Sequence, residues 1–383
     1  MIRLYKEPRL NKRFFKFLDI AFNHHRSIQG DGFFTKLCNR WLEDNLYVRR
    51  AFVTHSGTGA LEMASIVCDV GQGDEVIVPS FTFCSTANAF ALRGATIVFV
   101  DVKLENGLID EKLIPDAITD KTKVIVPVHY CGNACRMDQI VEIAKEREIY
   151  VVEDSAQAFC SGYENGIFLG TIGDIGIVSF HEHKIISCGD GGAIFINNEN
   201  LIERAERVYN YGTDRFAVLQ GKKRDYAWES LGSMYMMDEL TASYLYSLLY
   251  EYDPESDERD RLWRIYESHL TSLDNLGYIR LPLVEYEYQF NPTHFYFFVN
   301  DTRYRDRLIE YLRKHGIESS AHFRTLHDSD MGKRLGRCGS EIKNAKIVAD
   351  SIVRLPLYEG LSEYVIEYIC ETVERFFCKG DGF

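Results

Sequence analysis

Residues 151–157 read VVEDSAQ, residues 178–184 read VSFHEHK, and residues 188–193 read CGDGGA. The first two begin as apolar runs of the kind that form strands buried on both faces. Each then passes into polar residues that a buried strand does not need. Asp154 ends the first run, with Gln157 just beyond it, and Ser179 and Lys184 follow the second. An acid at the end of a buried strand can hold a pyridinium N–H. A lysine after the next strand can form a Schiff base with an aldehyde. These are the two groups that pyridoxal phosphate requires of a protein, so that cofactor is expected here.

Working outward, the first two-thirds of the chain alternates strands with helices. Residues 51–54, 75–78, 96–100, 124–128, 150–152, 176–180 and 193–196 read as strands. Residues 137–146 read as a helix, and another follows SGTG at 56–59 with Leu61, Ala64 and Val67 on one face. This alternation predicts an α/β fold with a mostly parallel mixed sheet, helices on both faces and ligands at the strands' carboxyl ends. From Met237 the pattern changes. MDELTASYLYSLLYEYD predicts a helix with Met237, Leu240, Tyr244 and Leu248 on one side, and the charged DPESDERDR then continues or breaks it. Beyond residue 270 the elements read as α+β. HFYFFVND is an alternating strand, YRDRLIEYLRKHG a helix closed by Gly316, ESSAHF a short strand, and SEYVIEYICETVERFF an amphipathic helix. The expected organisation is a large cofactor-binding domain over residues 1–240. A connecting helix and a smaller C-terminal domain fill residues 241–383.

Composition narrows the function. With 57 acidic against 44 basic residues the net charge is −13, which disfavours nucleic-acid and anionic-membrane partners. No run approaches the roughly 20 apolar residues of a membrane span. The N-terminal stretch has no apolar signal core, so a cytoplasmic protein is expected. The ten cysteines are scattered, which fits free thiols. Cys131 and Cys135 form the only close pair and His129 is near, but no fourth ligand is evident, so no metal is expected.

Several residues allow two readings. Gly57 and Thr58 in SGTGALEM suit a phosphate at a helix N-terminus, or an ordinary N-cap. Phe83 in PSFTFCSTAN could stack on a flat ring or fill a core. Gln157, one helical turn after Asp154, could hydrogen-bond the cofactor's O3′ or face solvent. Lys222, Lys223 and Arg224 form the only compact basic cluster. They read as a solvated loop or as counter-charge for a diphosphate.

SGTGALEM, GDEVIVPSFTF, VIVPVHYCG, VVEDSAQ, SFHEHK, GDGGA, HFRTLH and RLPLYEGLS occur in the order found in the DegT/StrS sugar aminotransferases. The chain resembles that family of fold-type I enzymes over roughly residues 28 to 375, and resembles most its TDP-4-keto-6-deoxyglucose 4-aminotransferases. The resemblance implies that Lys184 tethers the cofactor and then shuttles protons, and that Asp154 pairs with the ring nitrogen. It further implies that Gln157 contacts O3′, Phe83 stacks on the ring, and Gly57, Thr58 and Ser179 hold the phosphate. His322 is expected to face the substrate. The implied reaction moves an amino group from L-glutamate to the C4 ketone of a TDP-linked 6-deoxyhexose. The resulting aminodideoxy sugar would serve a surface polysaccharide such as the O-antigen of lipopolysaccharide. Homodimers with shared active sites are implied too. A 3-aminotransferase acting on a 3-keto sugar, or a non-catalytic regulatory protein that binds the cofactor, are the alternatives. Three positions depart from the family. G-x-N-x-R reads GSMYM at 232–236, the proline of H-x-x-P-L-H is Thr325, and GEGG reads GDGG with Asp190.

Overall fold

Alternate residues of one strand serve two different cores. Ile77 packs into the cluster that holds Val98, Ile125 and Val151, while Val76 and Val78 pack with Ile97, Val124, Val152 and Ile177 on the opposite face. Burial on both faces is what the apolar runs in the sequence require. The computed structural model describes the chain apart from residues 8–9, 26–27, 164–165, 255–257, 285–287 and 379–383.

The strands are β1 (Arg50–Thr54), β2 (Glu75–Pro79), β3 (Thr96–Val100), β4 (Thr122–Ile125), β5 (Tyr150–Asp154), β6 (Gly162–Tyr163), β7 (Ile175–Ser179) and β8 (Gly192–Ile196). They continue as β9 (Ile279–Arg280), β10 (Tyr288–Gln289), β11 (Phe295–Val299), β12 (Gly336–Cys338) and β13 (Ile352–Leu355). The main sheet has the order β1-β8-β7-β5-β4-β2-β3-β12. Only β8 runs against its neighbours, so the sheet is mixed but mostly parallel. A second, antiparallel sheet has the order β13-β11-β9, and β6 pairs with β10.

Helices α1 (Lys12–Asp19), α2 (Phe33–Leu46), α3 (Gly57–Val67), α4 (Cys84–Ala91), α5 (Ile114–Ala117), α6 (Met137–Lys145), α7 (Ile202–Tyr209), α8 (Arg215–Leu219) and α9 (Glu239–Leu249) accompany the main sheet. Beyond them lie α10 (Arg259–Asn275), α11 (Arg305–Lys314), α12 (Asp330–Leu335), α13 (Asn344–Ser351) and α14 (Glu363–Cys378). Gly316, at φ +74, follows α11 as expected of a residue that stops a helix in the left-handed region. None of the described helices is long and apolar enough to cross a membrane.

Four local expectations are corrected and one open choice is decided. Helix α9 buries Ala242, Leu245 and Leu249, not the face of Leu240, Tyr244 and Leu248. Its register is set by Glu239, whose buried carboxylate accepts the Phe34 and Thr35 N–H groups at 2.8 and 2.9 Å and so caps α2. The charged DPESDERDR breaks the helix, since α9 ends at Leu249 and α10 starts at Arg259; residues 255–257 lie outside the described ones. HFYFFVND does not alternate, because all of Phe295–Val299 is buried within one large core. ESSAHF forms no strand; only Ser320 bridges, to Arg354. The run expected through Val128 pairs regularly only to Ile125, where Pro127 has no N–H to continue the ladder.

We propose the division into two parts at the break between α9 and α10. Helix α9 packs with α2 in the core beneath β1, β7 and β8, so it goes with the large part. Strand β12 crosses back to pair with β3 at the edge of the main sheet.

Candidate active site

The carboxyl ends of β1, β5 and β7 open onto one cavity of about 500 Å³. Its lining brings together Gly57, Thr58, Phe83, Asp154, Gln157, Ser179, Lys184 and His322, residues spread over most of the chain.

Helix α3 starts at the mouth of β1. Ser56 is its N-cap, and its Oγ accepts the Gly59 N–H at 2.9 Å. The N–H groups of the first turn have no partner within the helix itself, which makes this end a cradle for an anion. The serine caps the helix, and the glycine and threonine beside it face the cavity. A Cβ at Gly57 would meet Ser179 Cβ at 3.0 Å, so glycine keeps the start of α3 close to the end of β7. The Thr58 hydroxyl lies 3.0 Å from the Ser85 hydroxyl.

Asp154 is the last residue of β5 and only 5% exposed. Its Oδ2 accepts the Thr86 hydroxyl at 2.8 Å, and its Oδ1 accepts the Ala156 N–H at 3.2 Å. Both partners are neutral, and among the described residues no cation forms an ion pair with it. A buried carboxylate in that state is costly without a positive partner. Thr86 escaped the sequence reading, although it stands one helical turn after Thr82 and 3.0 Å from that hydroxyl.

Lys184 sits in the turn after β7, where its N–H closes onto the His181 carbonyl at 2.9 Å. Desolvation pushes its amine down to about 8; Asp154 opposes that shift and Arg354 adds to it. The turn that follows needs glycine at 189, where φ is +95. Gln157 is not on a helix and does not face solvent. It is 9% exposed, and its Oε1 accepts the Cys131 N–H at 3.2 Å, which leaves the amide NH2 as the end still free to donate. Phe83 is 54% exposed, a large apolar ring presented to the cavity rather than to a core.

His322 is half-buried, with Nδ1 2.8 Å from the Tyr130 hydroxyl, which lies 3.3 Å from the buried His294 Nε2. Burial first, and then Arg354, hold both imidazoles well below their usual range. Thr325, in place of the family's proline, donates its hydroxyl to Asp328 at 2.6 Å, so a side-chain bond holds this turn. The trio at 222–224 does not line the cavity of its own chain. Lys223 is ion-paired with Asp214 and Glu229, while Lys222 and Arg224 are exposed. Cys131 and Cys135 bind carbonyls: their Sγ atoms donate to His294 and Val128 at 2.8 and 3.3 Å.

These residues fit pyridoxal phosphate. The start of α3 packs against Ser179 with room for no Cβ. Asp154 is a buried carboxylate lacking a cation. An amine of depressed basicity shares their cavity.

The comparisons agree with this geometry. The model of the DegT/DnrJ/EryC1/StrS aminotransferase family matches residues 16–374. A GDP-perosamine synthase of Escherichia coli O157:H7 is 31% identical over 350 residues, covering 89% of each chain. An aminotransferase structure from Psychrobacter cryohalolentis superposes with a TM-score of 0.90 at 25% identity, covering 98% of this chain and 99% of that one. The PLP form of the putative sugar aminotransferase Spr1654 from Streptococcus pneumoniae gives 0.85 at 25% identity, with 97% and 98% covered. With the cavity, its acid and its lysine in place, the chain belongs to the DegT/DnrJ/EryC1/StrS family of pyridoxal-phosphate-dependent sugar aminotransferases.

Proposed function

We propose that the protein transfers an amino group from L-glutamate to the C4 ketone of a nucleotide-linked 4-keto-6-deoxyhexose. The observation that carries this reading is the pairing, in one cavity, of a lysine amine lowered to about 8 with the buried Asp154. Amination at C4 rests on the resemblance to the TDP-4-keto-6-deoxyglucose 4-aminotransferases. The similar GDP-perosamine synthase makes the nucleotide an open choice between TDP and GDP.

When bound, pyridoxal phosphate supplies a reactive aldehyde carbon and a ring that withdraws electrons from the carbon attached to nitrogen. The chain's residues do the rest. Asp154 holds a proton on the ring nitrogen, because its buried charge is stabilised by that N–H. Gly57, Thr58 and Ser179 bind the phosphate at the start of α3. Phe83 is presented to the cavity where it would cover the ring, and the Gln157 NH2 would hold it through O3′. Lys184 Nζ would take a proton from the donor carbon and return one to the carbon that the transfer leaves. An amine lowered to about 8 is partly neutral near pH 7 and suits both directions. The tightly bonded Tyr130, His294 and His322 form a neutral wall suited to sugar hydroxyls. In a homodimer, Lys222 and Arg224 of one subunit would meet the diphosphate bound by the other.

The test is product analysis by NMR after incubation with L-glutamate and either the TDP- or the GDP-linked 4-keto-6-deoxyhexose. A 4-amino-4,6-dideoxyhexose is expected from one of them. Amination only of a 3-keto sugar, or none, would overturn the reading.

A further inference from the structure

Arg354 is the third residue of β13 and pairs across the small sheet with Tyr296 of β11. It lines the same cavity as Lys184 and is only 8% exposed. Its Nη1 donates to the Tyr5 hydroxyl at 2.9 Å and its Nη2 to the Ser320 hydroxyl at 2.7 Å. Its Nε is buried and unpartnered. Every partner is neutral, and among the described residues no carboxylate forms an ion pair with it. A buried guanidinium normally has an anion beside it, because removal from water leaves an unpaired charge costly. Arg337, by contrast, grips Glu75 through two bonds of 2.8 and 2.6 Å.

The surroundings sharpen the deficit. His183, His294 and His322 line the cavity with Arg354, and none of them offers it a negative charge. The two carboxylates of the lining are accounted for. Asp154 serves the ring nitrogen in the proposed function, and Asp190 is exposed, 3.8 Å from His181. The cavity therefore has a positively charged corner that the folded chain does not neutralise.

We propose that Arg354 binds the carboxylate of the amino donor. The inference rests on the proposed function for its choice of anion. The donor's α-carboxylate is one bond from the carbon that loses the amino group, and that carbon must reach Lys184, which faces the same cavity as Arg354. A nucleotide sugar aminated at C4 carries its diphosphate across the whole pyranose ring from the reacting carbon. The cofactor's phosphate has its own cradle at the start of α3. Arg354 offers one enclosed charge, and after Tyr5 and Ser320 it still has N–H groups in hand from the five of a guanidinium. A carboxylate matches that charge and its forked geometry. Tyr5 and Ser320 are positioning residues that fix the fork; Tyr5 is itself held by a ring stack on His183 at 4.0 Å.

The test uses the holoenzyme and glutarate, a dicarboxylate with no amino group to react, titrated by calorimetry. Arg354→Gln is expected to weaken glutarate about 30-fold, with Arg354→Lys retaining part of the affinity. The KM for glutamate should rise in step, while the sugar half-reaction, run from enzyme carrying the aminated cofactor, stays within about twofold. Three results would overturn the inference: glutarate affinity equal in wild type and Arg354→Gln, no glutarate binding in wild type, or loss of TDP affinity in its place. Should Arg354→Gln not fold, Tyr5→Phe loosens the guanidinium while leaving it in place. It should weaken glutarate several-fold and leave TDP binding alone, and unchanged glutarate binding would overturn the inference equally. If the wild-type enzyme aminates no nucleotide sugar, the proposed function fails, and the glutarate titration still decides Arg354.

Discussion

Glu153 and Asp154 are adjacent carboxylates at the end of one buried strand, and the fold treats them oppositely. Glu153 is fully buried, and its two oxygens accept from four donors. These are the N–H groups of Gly170, Ile172 and Gly173 at 2.9, 2.7 and 2.6 Å, and His129 Nε2 at 3.0 Å. Asp154 faces the cavity with two neutral donors and, among the described residues, no ion-paired cation. Strand alternation sends neighbouring side chains to opposite faces. One acid therefore completes its bonds inside the protein and stabilises the loop after β6. The other is left incomplete on the side where a ligand enters. The same contrast separates Lys223, held by two carboxylates outside the cavity, from Lys184 within it.

If that contrast is right, the largest stability loss should come from the acid outside the chemistry. Glu153→Gln sets an NH2 group against N–H donors in a sealed site and is expected to cost about 3–5 kcal/mol. Thermal unfolding of the apoprotein measures it, and an unchanged midpoint would break the comparison. Asp154→Asn should do the reverse. Its midpoint should hardly move, while the donor half-reaction slows roughly 10²–10³-fold, because an amide does not hold the ring nitrogen charged. Single-turnover absorbance with glutamate decides this, and near-wild-type rates would remove Asp154 from the mechanism.

Lys184 should carry a pH signature in the apoprotein. Its amine titrates at about 8 in the fold against about 10.4 in an unfolded chain. Between those values the unfolded state binds more protons, so wild-type stability rises with pH across that window. Relative to Lys184→Met the gain should be on the order of 3 kcal/mol, read from denaturant unfolding at pH 7.5 and 10.5. A flat difference would mean that the amine is not buried in neutral form. The smallest effect belongs to the exposed cations. Neutralising Lys222 and Arg224 together should raise the KM for the nucleotide sugar about two- to fivefold and leave the glutamate half-reaction alone. An equal change in both half-reactions would separate the pair from the diphosphate.

Much of the cofactor site was legible because several of its residues end or follow strands whose apolar runs are unmistakable. Asp154, Ser179 and Lys184 could be placed at strand ends before any contact was known. Gln157 was legible as a candidate but not in its geometry, since its orientation depends on the Cys131 amide, far from it in sequence. Thr86 was hidden because a threonine in a helix has many uses, and only the approach of α4 to β5 gives this one a carboxylate. Arg354 was hidden inside RLPLYEGLS, where nothing local sets it apart from any other arginine. Its role depends on Tyr5, 349 residues away.

The strand–helix alternation of the first two-thirds, a mostly parallel main sheet, and Asp154 and Lys184 as candidates at strand ends were legible in the sequence alone. They depend on local periodicity and on which residue follows each buried run, and both are properties of neighbours in the chain. The face that α9 buries, the sealing of Glu153 beside an open Asp154, and the unpaired charge of Arg354 were decided only by the tertiary structure. Each depends on which polar groups from distant segments arrive to satisfy a buried one, and the pattern of a single segment does not contain that information.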